Sequence, residues 1–204
     1  MAQVFRQCKG AVFVVSWTSG AAHRRFAAIS SSPGKCEVFE VPLSRSELFD
    51  RLKAMDIATT TIEHDAIFTV AESSTVDASI PGAHTKNLFL KDDKGALVLV
   101  VADASTKVDL KSLPKKLGMG RFSFGKPDVL MAALGVLPGA VTAFAIANDT
   151  AKKVRLVIDS GLMTHDSLNC HPLENTATTN IARDDLLRFI RSTGHEPEIV
   201  TLTG

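Results

Sequence analysis

Lys86 and Asn87 are the side chains in this sequence best placed to do chemistry. They put a cation and an amide side by side where a Pro81-Gly82 turn runs into the apolar residues Leu88, Phe89 and Leu90. A turn signal followed by a short apolar run reads as a loop feeding a β-strand. Groups at such a mouth are held by the sheet and still face open space, which suits binding or catalysis. The same residue types also serve as a solvated lysine flanking a strand and as a turn asparagine, so spacing alone does not decide between these roles.

Other constellations are weaker. Gly118-x-Gly120 lacks the rest of a dinucleotide fingerprint, and the sequence has no G-x-S-x-G nucleophile motif. His165 and His171 stand six apart, which matches no common metal spacing, so no metal and no cofactor are expected. Taken alone, His171 reads as a structural loop histidine, and the neighbours His64 and Asp65 read as a turn. Cys8, Cys36 and Cys170 are odd in number and widely separated, which argues against a disulfide framework and for a reducing compartment.

Several separated segments carry a resemblance. Gly82-x-His84-Thr85-Lys86-Asn87-Leu88-Phe89-Leu90 is followed by Arg121-Phe122-Ser123-Phe124, then by Leu134-Gly135-Val136-x-Pro138-Gly139 with Val141, Thr142 and Phe144. Asn148-Asp149-Thr150, His171-Pro172-Leu173 with Asn175, and Ala177-Thr178-Thr179 complete the series. In type and order these resemble the freestanding prolyl-tRNA editing proteins, deacylases related to the editing domain inserted in bacterial prolyl-tRNA synthetases. The resemblance implies that Lys86 is essential for deacylation and contacts the phosphate or ester end of the tRNA's terminal adenosine. It implies that Asn87 and His171 line the same pocket and that the loop from Gly139 presents backbone to the aminoacyl ester. His84, Thr85, Ala140, Val141, Thr142 and Asn175 are assigned with them to substrate binding. Two positions depart from the pattern: Ala143 stands where synthetase-inserted domains have proline, and Cys170 stands where an aromatic is expected. The first bears on subgroup rather than activity, since freestanding alanine-specific members can also lack that proline; the second bears on pocket volume and therefore on which amino acid is chosen.

The elements that must position these groups follow from local patterns. Ser44-Arg45-Ser46-Glu47 is a capping box, with Leu48, Leu52 and Met55 at helical spacing after it. Thr59 to Ile62 reads as a strand, Ile67 to Val70 leads into a short helix through Ala78, and Leu88–Leu90 with Ala96–Ala102 reads as a hairpin whose second strand is central. A helix is expected from Asp109 to Gly118, a short strand within Met119–Gly125, and a helix from Pro127 ended by Gly135. Val136 to Ile146 reads as a Pro-Gly turn into an apolar strand, Val154–Ile158 as a further strand, and Asn169–Asn175 as irregular. Thr176–Ile181 is strand-like, Asp184–Arg191 an amphipathic helix closed by Gly194, and Glu198–Leu202 a last strand. The result is an α/β domain, a single mixed, largely antiparallel sheet with surrounding helices, over residues 44–204.

Composition sets the outer bounds. With 204 residues, 45% hydrophobic and 22% charged, the chain can bury a sizeable core, and no apolar run is long enough to span a bilayer. Net charge is only +1, yet Lys107, Lys111, Lys115, Lys116, Arg121 and Lys126 fall between residues 106 and 126 against the single acid Asp109. Such a patch can track a phosphate backbone, and its lysines are the expected acceptor-stem contacts. Residues 1–43, free of acids up to Lys35, read as a poorly ordered N-terminal extension or an organellar transit peptide, in an otherwise cytoplasmic protein. The expected substrate is mischarged tRNA(Pro), Ala-tRNA(Pro) first, with prolyl-tRNA synthetase as a transient partner. Two rivals stay open: a related deacylase for Cys- or Ser-charged tRNA, and a non-catalytic tRNA- or ligand-binding module.

Overall fold

A computed structural model describes residues 7–8, 11–16, 25–29, 36–65 and 80–203. The chain divides into two units, Met1–Pro42 and Leu43–Gly204. In the first, β1 (Gln7–Cys8), β2 (Ala11–Ser16), β3 (Arg25–Ile29) and β4 (Cys36–Glu40) form an antiparallel sheet in sequence order. The expected strand and short helix between Ile67 and Ala78 lie outside the described residues.

The second unit opens with α1 (Arg45–Ala54), capped as its sequence dictates. Ser44 Oγ accepts from the Glu47 amide at 3.3 Å, and Glu47 Oε2 accepts from the Ser44 amide at 3.0 Å. Seven further strands form the body of the sheet: β5 (Thr59–Glu63), β6 (Ala83–Asp92), β7 (Leu97–Asp103), β9 (Val154–Asp159), β10 (Ser167–Cys170), β11 (Ala177–Ala182) and β12 (Glu198–Val200). Their order is β12-β9-β7-β6-β10-β11-β5, and β8 (Phe122–Phe124) joins β6 off that path. The sheet is mixed: β12–β9, β9–β7 and β6–β10 are parallel, and the other pairs antiparallel. As its doubly apolar sequence requires, β7 is interior, with Val98 to Ala102 fully buried.

Helices cover both faces. On one, Leu99, Val101, Leu156 and Ile158 pack with Leu48 and Leu52 of α1, Leu130 and Leu134 of α3 (Pro127–Leu134), and Leu186, Phe189 and Ile190 of α4 (Arg183–Ser192). On the other, Leu90, Val98, Val100 and Val157 meet Leu113 and Leu117 of the short α2 (Leu113–Leu117). Gly135 ends α3 at φ 64° as expected. Among the described residues no helix is long and apolar enough to cross a membrane.

Three local expectations change. The helix expected from Asp109 starts at Leu113, because Asp109 turns its carboxylate onto the Lys111 amide at 2.9 Å and holds a turn there. The apolar run after Gly139 is a buried 3-10 helix, Ala143–Asn148, and not a strand. Asn169 and Cys170 belong to β10 and not to an irregular loop.

Candidate functional site

Strand β6 starts at Ala83, so Lys86 and Asn87 stand inside the sheet and not in the loop before it. Its register with β7 is continuous from Thr85↔Asp103 to Lys91↔Leu97, with no bulge. Successive side chains in such a strand point to opposite faces. Thr85 and Asn87 therefore share the face of Ala83 and Phe89, which belong to the larger core, while His84 and Lys86 share that of Leu88 and Leu90 at the smaller one. The cation and the amide are neighbours in the chain but occupy two sides of one strand.

On its face Lys86 reaches the loop that follows β7, donating to the Ala104 carbonyl at 2.9 Å and to the Thr106 carbonyl. That loop is shaped by Asp103, whose carboxylate accepts from the Ser105 amide at 2.8 Å, and by Thr106 Oγ1, which donates to Asp159 Oδ2 at 2.6 Å. Both acceptors of the ammonium are neutral. Among the described residues no carboxylate forms an ion pair with it. A half-buried ammonium with two of its three donors on carbonyls and, among the described residues, no counter-charge can still take an anion on the third. The basic segment packs on this same face through Val108, Leu110, Leu113 and Leu117. Lys107, Lys111 and Lys115 are exposed. Lys116 is also exposed but donates to the carbonyls of Thr201 (3.1 Å) and Thr203 (2.6 Å), tying down the last residues of the chain.

The opposite face is drier. Asn87 Oδ1 is buried and has no hydrogen-bond partner. Beside it Thr85 Oγ1 donates to the Asn169 carbonyl at 2.8 Å and lies 3.7 Å from Cys170 Sγ. Burial pushes the Cys170 thiol up to about 12, so it is a neutral wall and no nucleophile near neutrality. The loop expected to present backbone lies over this core: Gly139 is exposed with φ 93°, and Ala140 is buried with its amide bonded to the Leu137 carbonyl at 3.0 Å. Thr142 is fully buried, and its hydroxyl accepts from the Phe144 amide, so it caps the 3-10 helix and presents nothing to a ligand. Val141 is half-buried between them.

The edge of β6 away from β7 is only partly covered. Ala83 and His84 pair with β10, and Leu90 to Asp92 pair with β8. Between them, among the described residues, no strand adjoins Lys86 to Leu88. His84 accepts from the Ala104 amide on the β7 side, and Phe89 accepts from the Gly125 amide on the β8 side. Alternation then turns the amide and carbonyl of Asn87 toward the uncovered stretch. Gly82 enters this strand at φ 99°, and a Cβ there would lie 2.4 Å from Ser167 Oγ, so the approach of β10 to the strand demands glycine.

The comparisons with known proteins converge on one family. Residues 64–189 match the family model described as an aminoacyl-tRNA editing domain. The chain belongs to the aminoacyl-tRNA editing domain family. Similar proteins include the prolyl-tRNA synthetase associated domain-containing protein 1 of Danio rerio, 38% identical, with 84% of this chain and 94% of the relative covered. The prolyl-tRNA editing protein ProX of Acetoanaerobium sticklandii is 34% identical, covering 78% and 98%. A solved structure described as a candidate trans-editing enzyme for prolyl tRNA synthetase superposes with a TM-score of 0.61 at 17% identity, covering 78% and 96%, and shares the fold. Membership makes the chain an aminoacyl-tRNA deacylase, a hydrolase of translation fidelity.

Within this editing domain His171 follows directly on β10, and its Nδ1 lies 3.1 Å from the Ala177 carbonyl. A carbonyl only accepts, so Nδ1 carries a proton directed at it. Sequence reading missed what stands beside it. His64, at the end of β5, meets the His171 ring edge-on with centroids 6.4 Å apart and bonds Thr178 Oγ1 at 3.0 Å. Only the β5–β11 pairing brings these rings together, and no local spacing announces it. The loop is braced by Arg45, which donates to Glu174 at 2.6 Å and also pairs with Glu63. Asn175 is half-buried in the same loop. His84 turns to Asn169, whose Nδ2 lies 3.0 Å from its Nε2, and Asn169 in turn accepts from Asn180 at 2.7 Å. It helps lock β10 onto β6. Asn148 and Asp149 of the matched segment are structural too: Asn148 bonds the Leu43 amide (2.7 Å) and the Leu134 carbonyl (2.8 Å), and Asp149 bonds the Lys153 and Val154 amides.

Proposed function

We propose that this protein hydrolyses, in trans, the ester of tRNA(Pro) carrying the wrong amino acid, with alanine as the preferred error. The observation that carries the reading is on β6: an ammonium without a counter-carboxylate and an amide oxygen without a donor sit on successive residues beside an uncovered stretch of strand edge. The relative named as a prolyl-tRNA editing protein supplies the class of substrate.

Lys86 would hold a phosphate of the terminal adenosine, with Lys107, Lys111 and Lys115 following the acceptor stem on the same face. The aminoacyl end would cross the uncovered edge to the face of Asn87, whose Oδ1 can accept from the α-ammonium of the amino acid. The backbone N–H of the exposed Gly139 would steady the carbonyl oxygen as it becomes anionic, the Ala140 amide being already committed to the Leu137 carbonyl. The ester is already activated, so attack needs a positioned water more than a strong base. His171 would help orient the attacking water or the ribose, and the tRNA's own 2′-hydroxyl can relay the proton. A synthetase pocket built for proline discriminates against the smaller alanine by only about 1–3 kcal/mol, and a second, tighter site removes the error. The protein would act free in the cytoplasm, meeting prolyl-tRNA synthetase transiently.

The test is single-turnover hydrolysis of Ala-, Pro-, Ser- and Cys-tRNA(Pro) by wild type and Lys86→Ala. Loss of the alanyl ester alone, slowed roughly 10²-fold or more in the variant, is expected. Preference for the seryl or cysteinyl ester changes the substrate within the class. Full activity in folded Lys86→Ala removes the anchor from the mechanism.

A further inference from the structure

Strand β8 presents a large aromatic to solvent from a rigid support. Phe124 is 64% exposed, more than the other exposed large apolar residues of the described chain. Its backbone is nevertheless fixed. It pairs with Leu90, the next amide (Gly125) donates to the Phe89 carbonyl at 2.9 Å, and a Cβ on Gly125 would lie 2.3 Å from the Phe89 ring. Ser123 Oγ adds a bond to the Lys91 carbonyl at 3.2 Å. An uncovered ring on a strand held this firmly is a surface built to receive something flat.

Its place says what. Residues directly opposite in an antiparallel pair share a face, so Phe124 stands on the face of Leu90 and hence of Lys86. Lys86 and Leu90 are four residues apart, about 14 Å along the strand, and β8 lies one strand spacing further across. That separation is more than one nucleotide wide. The surroundings favour a polyanion: Arg121 and Lys126, within three residues of Phe124, are exposed, against the exposed Asp93 and Asp128, and Lys107, Lys111 and Lys115 lie on the same face. Aromatics interleaved with cations are the usual platform for unpaired bases, because every base has a π-face.

We propose that Phe124 stacks on an unpaired base of the tRNA 3′ end, upstream of the nucleotide whose phosphate Lys86 holds, with Arg121 and Lys126 on the adjoining phosphates. The proposal rests on the tRNA-editing reading and adds to it a binding site for the single-stranded end. It makes Phe124 a determinant of substrate binding, remote from the reacting ester.

The experiment measures equilibrium binding of an uncharged RNA oligonucleotide ending in CCA, by fluorescence anisotropy, to wild type, Phe124→Ala, Phe124→Leu and Phe124→Trp. Single-turnover hydrolysis of Ala-tRNA(Pro) is followed in parallel. Alanine and leucine are expected to weaken oligonucleotide binding about tenfold or more and to raise the half-saturating enzyme concentration similarly, with the saturating rate kept. Tryptophan is expected to preserve both. Replacing each cytidine in turn by an abasic nucleotide should cost wild type the same factor at one position and cost Phe124→Ala nothing further there. Equal binding by wild type and Phe124→Ala overturns the proposal, as does full binding by Phe124→Leu. A wild type that self-associates through this residue, with RNA binding unchanged in the monomeric Phe124→Ala, makes the patch a contact between copies and also overturns it. Phe124-dependent RNA binding with no ester hydrolysed refutes the editing reading instead and leaves the platform standing.

Discussion

Replacing Asn87 by leucine should make the protein more stable and less active. Asn87 Oδ1 is buried and lacks a donor, a state that costs about 1–3 kcal/mol relative to a satisfied or absent acceptor. The side chain as a whole is only half-buried, which places the recoverable part near the lower bound, at about 1 kcal/mol. Leucine has nearly the same volume and would put methyl groups on a face already lined by Ala83, Phe89 and Val101. The urea midpoint, followed by circular dichroism, should rise by about 0.5 M for a typical slope. Asn87→Asp should move it the other way, because a carboxylate at the same spot is desolvated without a partner. Single-turnover hydrolysis should fall at least about tenfold in Asn87→Leu, the cost of losing one charge-assisted acceptor. Stability gained as activity is lost marks a group kept for its chemistry. A leucine variant with a lower midpoint would show that the oxygen is satisfied in the folded protein, and a stabilised variant with full activity would remove Asn87 from the site.

Asn148→Ala should act in the opposite sense. It removes bonds to the Leu43 amide and the Leu134 carbonyl and should cost about 2 kcal/mol in urea unfolding while leaving the low-temperature hydrolysis rate intact. Unchanged stability with lost activity would instead place Asn148 in the substrate site. Cys170 predicts a pH dependence. Its folded value lies near 12 and its ordinary value at 9.0, so the unfolded chain releases the proton first and stability declines as pH rises through that interval. The unfolding free energy of wild type, from urea titrations, should therefore fall more steeply above about pH 9 than that of Cys170→Ala, by up to about 1.4 kcal/mol per pH unit. Parallel profiles would show that the thiol is not sheltered in the folded state.

Much of the fold was legible where one local rule acted alone. The Ser44–Glu47 box starts α1, and Pro127 and Gly135 bracket α3, because caps and breakers work within a turn of the chain. The run Ala143–Ala147 misled because it is buried all round, and a short apolar run without periodicity reads equally as strand or helix. Thr142, capping the Phe144 amide, was the local sign of the helix. Strand β6 was placed late for the converse reason: its first residues include His84, Thr85, Lys86 and Asn87, polar side chains that hide a strand from a search for apolar alternation. The meeting of His64 with His171 was invisible because it depends on sheet order, not on spacing.

The polar start of β6 and the edge left unpaired among the described residues have one cause on the proposed function. On that reading, a strand whose residues stay available to a ligand cannot pair both edges throughout or bury both faces, and Lys86 and Asn87 take the stretch between the β10 and β8 pairings. Period-two alternation then sends the cation to the basic face and the amide to the dry one. A ligand with a phosphate at one end and a small ester at the other can satisfy both only by passing across that edge. A ligand lacking either end would engage one face and leave the other group unmet. Discrimination on this arrangement therefore depends on the whole aminoacyl-nucleotide end, and a free amino acid should compete poorly at concentrations where the intact ester saturates the site.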